Sequence, residues 1–128
     1  MAFQKSVAVR NAELDAIEVS IGVDAKLKIF TGAEPANCAA ADPAGTLITM
    51  TLPTDWMSAA GSGIKAKLGV WSGTASGSGT AASWRIYATD GTTCGLQGNM
   101  TDMTLDNTTV VSGQTITVAT FSITAGNS

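Results

Sequence analysis

The residues that could do chemistry in this sequence are two cysteines and ten acidic side chains, because it contains no histidine. Without histidine there is no Ser–His or Cys–His nucleophile and no imidazole to act as a general base. Cys38 and Cys94 lie far apart and no Cys-x-x-Cys occurs, which excludes the usual four-ligand zinc site. An enzyme would have to work through carboxylates alone, and nothing places two of them across a groove. We therefore predict no enzymatic activity, no metal and no cofactor.

The acidic residues include two groups that are close in sequence. One group falls on a predicted helix and should lie on its outer, solvated face: Glu13, Asp15 and Glu18. In the other, Asp102 and Asp106 flank a short predicted strand and, with Asn107, supply oxygen atoms of the kind that calcium prefers. Their spacing lacks the alternating ligands of a calcium loop, so this group predicts no metal site.

The charge pattern gives no reason to expect a nucleic-acid or membrane partner. The net charge is −3, and the only basic doublets, Lys26/Lys28 and Lys65/Lys67, are predicted to lie on the outward faces of strands. Binding to nucleic acid needs several cations that converge on phosphates. No segment approaches the roughly 20 apolar residues of a membrane-spanning helix, and residues 1–5 lack the pattern of a secretory signal. We expect the chain to be made in a cytoplasm.

The cysteines are too few for a disulfide scaffold. Cys38 lies in an alanine-rich loop and Cys94 follows a turn. Two free, partly buried thiols are the favoured interpretation, and a bridge between them stays open.

The elements that must position these residues begin with one helix. Residues 1–5 form an arm without periodicity, and residues 6–128 form a single domain. From Ser6 onward, apolar residues recur at spacings of three and four, which predicts an amphipathic helix over residues 6–21. Ser6 or Asn11 would cap its start, and Gly22 would end it. Because the apolar stripe is narrow, we expect the helix to lie on a sheet or against a partner chain.

The rest of the chain alternates apolar and polar residues between turns, which is typical of half-buried β-strands. The predicted strands are residues 26–31, 46–52, 64–71, 83–89, 103–105, 110–111 and 115–124, with a hairpin turn at Asp90-Gly91. The fold class is mainly β: an antiparallel β-sandwich or jelly-roll-like barrel of about seven to eight strands with one N-terminal helix.

Three local expectations can be checked against the structure. The Gly/Ser/Thr-rich stretch between Trp71 and Trp84 predicts a long hairpin, and a break in the alternation near Ala119-Thr120 predicts a β-bulge or a sheet-crossing bend. The connection over residues 32–45 is unusually long and carries mostly methyl groups, which favours a contact role.

The three tryptophans, Trp56, Trp71 and Trp84, are the last candidates for a binding function. An exposed row of aromatic rings on a β-sandwich would suit a sugar-binding module, but that inference relies on an analogy of fold. Since the domain is otherwise poor in aromatic residues, we favour a role for all three in the core.

Three groups of segments carry a resemblance to a known class of proteins. They are residues 52–57 (LPTDWM); residues 69–76 (GVWSGTAS) with 84–87 (WRIY) and 92–98 (TTCGLQG); and residues 102–107 (DMTLDN) with 112–115 (SGQT). The chain resembles small virion structural proteins that tailed bacteriophages and prophages encode among their head and tail genes. These motifs are turn and strand signatures rather than a catalytic fingerprint.

Within that class the favoured role is a capsid decoration (cement) protein. The resemblance implies the major capsid protein as partner and a homo-oligomer, namely a trimer, on the outer surface of the head. It also implies residence in the host cytoplasm during assembly. The arm and the 32–45 loop are the expected contact surface, with the following interface residues: Phe3, Gln4, Lys5, Pro35, Asn37 and Pro43. A neck, tail or fibre component, including a host-attachment or carbohydrate-binding domain, is the alternative.

Overall fold

The computed structural model describes residues 4–124, which form one helix and ten strands. The elements are α1 (Val7–Ile21), β1 (Lys26–Phe30), β2 (Thr46–Thr51), β3 (Ile64–Ala66), β4 (Ser72–Thr74), β5 (Gly79–Thr80), β6 (Ser83–Tyr87), β7 (Cys94–Asn99), β8 (Met103–Leu105), β9 (Thr109–Val110) and β10 (Thr115–Thr124). All strand pairs are antiparallel. The prediction of a mainly β, antiparallel fold with one N-terminal helix is confirmed.

The helix begins and ends where the sequence predicts. The Ser6 hydroxyl accepts a hydrogen bond from the Val9 amide at 3.2 Å and so caps the first turn. Gly22 ends the helix with a φ of +93°, a backbone conformation that favours glycine. Within α1 only Leu14 and Ile21 are buried, and the helix packs on β3 and β7. The narrow apolar stripe therefore covers the outside of the sheets.

Two sheets enclose one hydrophobic core. The first has the order β2-β1-β6-β7, and in the second β10 pairs with β3, β4 and β8. The short ribbon β5-β9 lies outside these two sheets. Side chains of both sheets meet in one cluster, in which the Trp84 and Phe121 rings are 5.1 Å apart and nearly perpendicular. This arrangement is that of a β-sandwich.

The prediction that the tryptophans belong to the core is confirmed. Trp56 and Trp71 are fully buried and Trp84 is 4% exposed. Each indole N–H donates to a backbone carbonyl, for example Trp56 to the Gly22 oxygen at 2.9 Å. The three rings are therefore satisfied inside and do not form the exposed row that sugar stacking would need.

The predicted bulge in the last strand is also present. The pairing of β10 with β8 shifts register between Val118 and Thr120. The extra residue changes the side-chain phase, so that Val118 and Phe121 both face the core although they are an odd number of residues apart.

Two predictions about strands were wrong. The strand over residues 64–71 ends at Ala66, and the chain then turns at Gly69, which has a φ of +76°. The long hairpin does not form either: β4 pairs with β10, and β5 pairs with β9. Small side chains give a strand no apolar face, so their alternation did not specify which partner they pair with.

The prediction of an outward-facing Lys65 was wrong as well, and the acidic helix face is solvated only in part: Glu13 is exposed, whereas Asp15 and Glu18 pair with Lys65. Lys65 is 2% exposed, and its ammonium lies 2.9 Å from Asp15 and 3.1 Å from Glu18. Burial alone would lower the pKa of Lys65, but its bonds to the two carboxylates outweigh burial and raise that pKa. The bonds from Lys65 and the Ala60 amide hold the pKa of Asp15 below its ordinary value. These ion pairs fasten α1 to β3.

Candidate interaction surface

The connection over residues 32–45 folds back as a compact loop whose ends are joined. The Thr31 amide donates to the Gly45 carbonyl at 2.9 Å, and the Gly32 amide donates to the Ala44 carbonyl at 3.0 Å. Gly45 has a φ of +74°, and a Cβ there would lie 1.9 Å from the Thr31 hydroxyl oxygen. Only glycine fits at position 45, so the sequence specifies a loop whose two ends lie close together.

The loop covers the outer face of the first sheet at β6. All five residues of β6 are buried. Trp84 and Ile86 belong to the core cluster, while Ser83, Arg85 and Tyr87 alternate with them and lie outside that cluster. Since successive side chains of a strand point to opposite faces, the second set lies under the loop. Strand β6 is thus enclosed by the core on one side and by the loop on the other.

Arg85 is the centre of the contact between loop and sheet. It is 2% exposed, and its guanidinium donates to the Asp42 carboxylate at 3.0 Å and to the Asn37 carbonyl at 3.1 Å. A further bond, at 3.1 Å, joins it to the side-chain oxygen of Gln97 on β7. The Tyr87 hydroxyl donates to the same Asp42 carboxylate. One buried cation therefore holds both a side chain and the backbone of the loop.

Three further polar contacts attach the first part of the loop. The Gln97 amide donates to the Pro35 carbonyl at 2.7 Å, and the Ser83 hydroxyl donates to the Gly32 carbonyl at 2.6 Å. Between these two points the Asn99 amide lies 3.3 Å from the Glu34 carboxylate. The loop is therefore bound along its length by the polar face of β6 and β7.

The electrostatics keep Arg85 charged and Tyr87 protonated near neutral pH. Burial would lower the pKa of Arg85, but the acidic groups of Cys94, Tyr87 and Asp42 outweigh burial and raise it. Burial, together with the Asp42 carboxylate, raises the pKa of Tyr87, so the phenol keeps its proton and its role as a donor. Among the described residues, the Nε atoms of Arg85 and Arg10 are the buried side-chain polar atoms without a hydrogen-bond partner.

The outward side of the loop carries mainly methyl groups. Its exposed alanines are Ala33, Ala36, Ala39, Ala41 and Ala44. Of the predicted interface residues, Asn37 is exposed, whereas Pro35 and Pro43 are half-buried. The Asn37 side chain accepts hydrogen bonds from the Ala39 and Ala40 amides at 2.9 and 3.1 Å, so it also shapes the loop.

The arm has a different support from the loop. Gln4 is exposed, and the ammonium of the half-buried Lys5 lies 3.2 Å from Glu13 on α1. Phe3 lies outside the described residues. That the arm and the loop act together as one contact surface stays a prediction.

The fold brings the two cysteines together, which their spacing did not indicate. Cys38 in the loop and Cys94 at the start of β7 are half-buried free thiols whose sulfur atoms are 2.6 Å apart. Arg85, Tyr87 and Asp42 were also missed as site residues. The one available signal was that Arg85 is an isolated charge within an apolar strand.

Other surfaces offer less defined chemistry. A cleft of about 370 Å³ next to the end of α1 is lined partly by Val19 and Val23, which are 81% and 57% exposed. No cluster of His, Cys, Asp or Glu that could hold a metal occurs within residues 4–124. In the same part of the chain, no helix has the length and apolar character needed to cross a membrane.

Comparison with known proteins gives no assignment: no family model matches the chain, and no curated protein or solved structure matches it significantly.

Proposed function

We propose that this chain is a structural protein of a tailed-bacteriophage virion, and that it decorates the outside of the expanded capsid as a cement protein. The starting point is the resemblance of its strand and turn motifs to such virion proteins. The structure adds one supporting observation, which is the loop of residues 32–45. The loop exposes methyl groups on its outer side, and Arg85 binds it from the side that faces the sheet.

A loop that is ordered before binding suits a protein–protein contact. Binding normally has to overcome the entropy lost when a flexible segment becomes fixed. Here Arg85, Gln97 and Ser83 already fix the loop backbone through bonds to its carbonyl oxygens. The exposed alanines can then approach a flat partner surface closely, because a methyl group has no rotamers to fix and no polar atom to strip of water.

The cement role follows from repetition of this contact. A protein that binds only the expanded capsid lattice stabilises that lattice by mass action. Several weak contacts held in one homo-oligomer, such as a trimer at a symmetry axis, strengthen one another through their high effective concentration. The major capsid protein is the partner in this proposal, and no nucleic acid or membrane takes part.

The deciding experiment is the copy number of the chain in purified virions, measured by quantitative mass spectrometry against the major capsid protein. We expect about one copy per capsid subunit, or one trimer per three-fold site, as many weak lattice contacts require. Particles that lack the protein should lose DNA at a lower temperature than wild-type particles. A handful of copies would overturn the cement role in favour of a neck, tail or fibre part. Complete absence from virions would overturn the virion proposal itself.

A further inference from the structure

The pair of cysteines is the feature that the proposed function leaves unused. The 2.6 Å between the sulfur atoms of Cys38 and Cys94 is about half an ångström longer than the bond of about 2.05 Å in a disulfide. The two residues are 56 positions apart in sequence, so the fold alone creates this proximity. Both side chains are half-buried, which leaves them within reach of a small reagent.

The backbone on both sides of the pair is fixed. Next to Cys38, the Asn37 carbonyl accepts a bond from Arg85, and the Asn37 side chain accepts one from the Ala39 amide. Cys94 pairs with Tyr87 in the ladder between β6 and β7. The two thiols are therefore held together by the same contacts that attach the loop. A bond between them needs little movement of the chain.

We propose that Cys38 and Cys94 are a site of reversible oxidation, at which an intramolecular disulfide fastens the 32–45 loop covalently to β7. The oxidant is a low-molecular-weight disulfide of the glutathione class. One protein thiolate attacks a sulfur of the oxidant, forms a mixed disulfide and releases one small thiolate. The second protein thiolate then attacks the protein sulfur of that mixed disulfide and releases the second small thiolate. Two electrons pass from the cysteines to the oxidant, and the two thiol protons end on the two released thiols.

The surroundings of the pair set the rate of this reaction. Burial, with the hydrogen bond to Cys38, raises the pKa of Cys94 to about 12. Since only the thiolate attacks a disulfide, Cys94 is a slow nucleophile near neutral pH and its reaction accelerates as pH rises. The bond should therefore form slowly in neutral buffer and faster in mildly alkaline buffer.

The disulfide would act on the whole domain as well as on the loop. A bridge that closes a long stretch of chain restricts the unfolded state, which corresponds here to a rise in Tm of about 10 °C. The rise should be lost when a reductant cleaves the bond. This inference does not depend on the virion proposal, because it concerns chemistry within one chain.

The test uses the full chain, treated under native conditions with reduced or oxidised glutathione and then analysed by intact mass after alkylation in denaturant. We expect the oxidised sample to lose two hydrogens, to resist alkylation at both cysteines and to carry no glutathione. Its Tm should exceed that of the reduced sample by about 10 °C. In mildly alkaline buffer the matched controls Cys38→Ser and Cys94→Ser should each take up one glutathione and show no such rise. Uptake should be slower in Cys38→Ser, because burial raises the pKa of the remaining Cys94.

Three results would overturn the inference. One is a wild-type chain that stops at mixed disulfides, and another is a chain that forms disulfide-linked dimers on a non-reducing gel. The third is a native chain that keeps both thiols under conditions that oxidise the urea-unfolded chain. None of these results would change the expected copy number in virions, and an unexpected copy number would not change the outcome of the oxidation.

Discussion

Helix α1 and the loop of residues 32–45 both cover a sheet from outside, yet they are held in different ways. The helix inserts Leu14 and Ile21, which are 2% and 8% exposed, and Lys65 adds its ion pairs. Residues 32–45, which lie entirely within the described chain, contribute no member to the hydrophobic core cluster. The helix therefore has an apolar and an ionic attachment, whereas the loop depends on polar contacts centred on Arg85.

The two buried cations suit these different tasks. The ammonium of Lys65 is a compact charge, and it sits between two carboxylates of one helix. The guanidinium of Arg85 is a planar group with several donors, so it can reach a carboxylate, a backbone carbonyl and a side-chain amide at once. An irregular loop offers such scattered acceptors, and a helix face offers a regular pair. Each covering segment has the cation that matches its geometry.

The largest effect is expected from Arg85→Met, which removes the centre of the loop contact. Asp42, the Asn37 carbonyl and Gln97 each lose the hydrogen bond from Arg85, so the free energy of unfolding should fall by about 3 kcal/mol. Amide hydrogens of residues 32–45 should exchange much faster, while those of α1 should keep their protection. Urea denaturation and hydrogen exchange measure the two effects.

The control for this variant is Lys26→Met, which removes a half-buried cation whose ammonium donates to Thr51 at 2.8 Å. It should change the free energy of unfolding by less than about 1 kcal/mol. If Arg85→Met were as mild as this control, or if α1 lost protection along with the loop, the contrast between the two segments would be wrong.

A smaller effect, of about 1–2 kcal/mol, is expected from Lys65→Met, because Leu14 and Ile21 still hold the helix. The effect of Lys65→Met on the free energy of unfolding should depend on pH. The pKa of Asp15 is lowered in the folded state, so the ion pair contributes stability at neutral pH and loses it as pH falls through that lowered pKa. The gap in unfolding free energy between variant and wild type should therefore shrink below about pH 4. Urea titrations at neutral and acid pH test this, and a gap that is constant with pH would exclude the ionic explanation.

The smallest effect on stability is expected at the outward side of the loop. The double variant Ala36→Arg/Ala39→Arg changes exposed residues, so its free energy of unfolding should stay within about 0.5 kcal/mol of wild type. If the loop contacts the capsid, desolvating the added charges should lower occupancy on virions by about tenfold. Thr104→Arg, on the exposed face of β8, is the matched control and should keep full occupancy. Equal occupancy for both variants would mean that the loop is not the surface that contacts the capsid.

Local signals were strong enough to predict several elements from the sequence. Ser6 and Gly22 mark the ends of α1, since the first accepts a bond from a free amide and the second adopts a positive φ. The bulge at Ala119 followed from a change in the phase of apolar residues within β10. These features depend on neighbouring residues only, so a single sequence contains them.

The candidate site could not be predicted in the same way. The alternation in β6 is the same whether its outer face meets water or a loop, so it cannot reveal that Arg85 is buried. Lys65 and Asp15 are 50 positions apart, and Cys38 and Cys94 are 56 apart. Such pairs become visible only when the long-range packing is known.

The role of β10 has a consequence for how the chain is made. This strand pairs with β3, β4 and β8, which all precede it in sequence. A ribosome-bound chain that ends before residue 115 can build the first sheet and the β5-β9 ribbon, but β3, β4 and β8 lack the strand with which they all pair. Buried residues such as Trp71 and Met103 would stay exposed until residues 115–124 emerge. The pairing of β10 is thus the step of synthesis at which these apolar residues are buried and the tendency of the chain to aggregate falls.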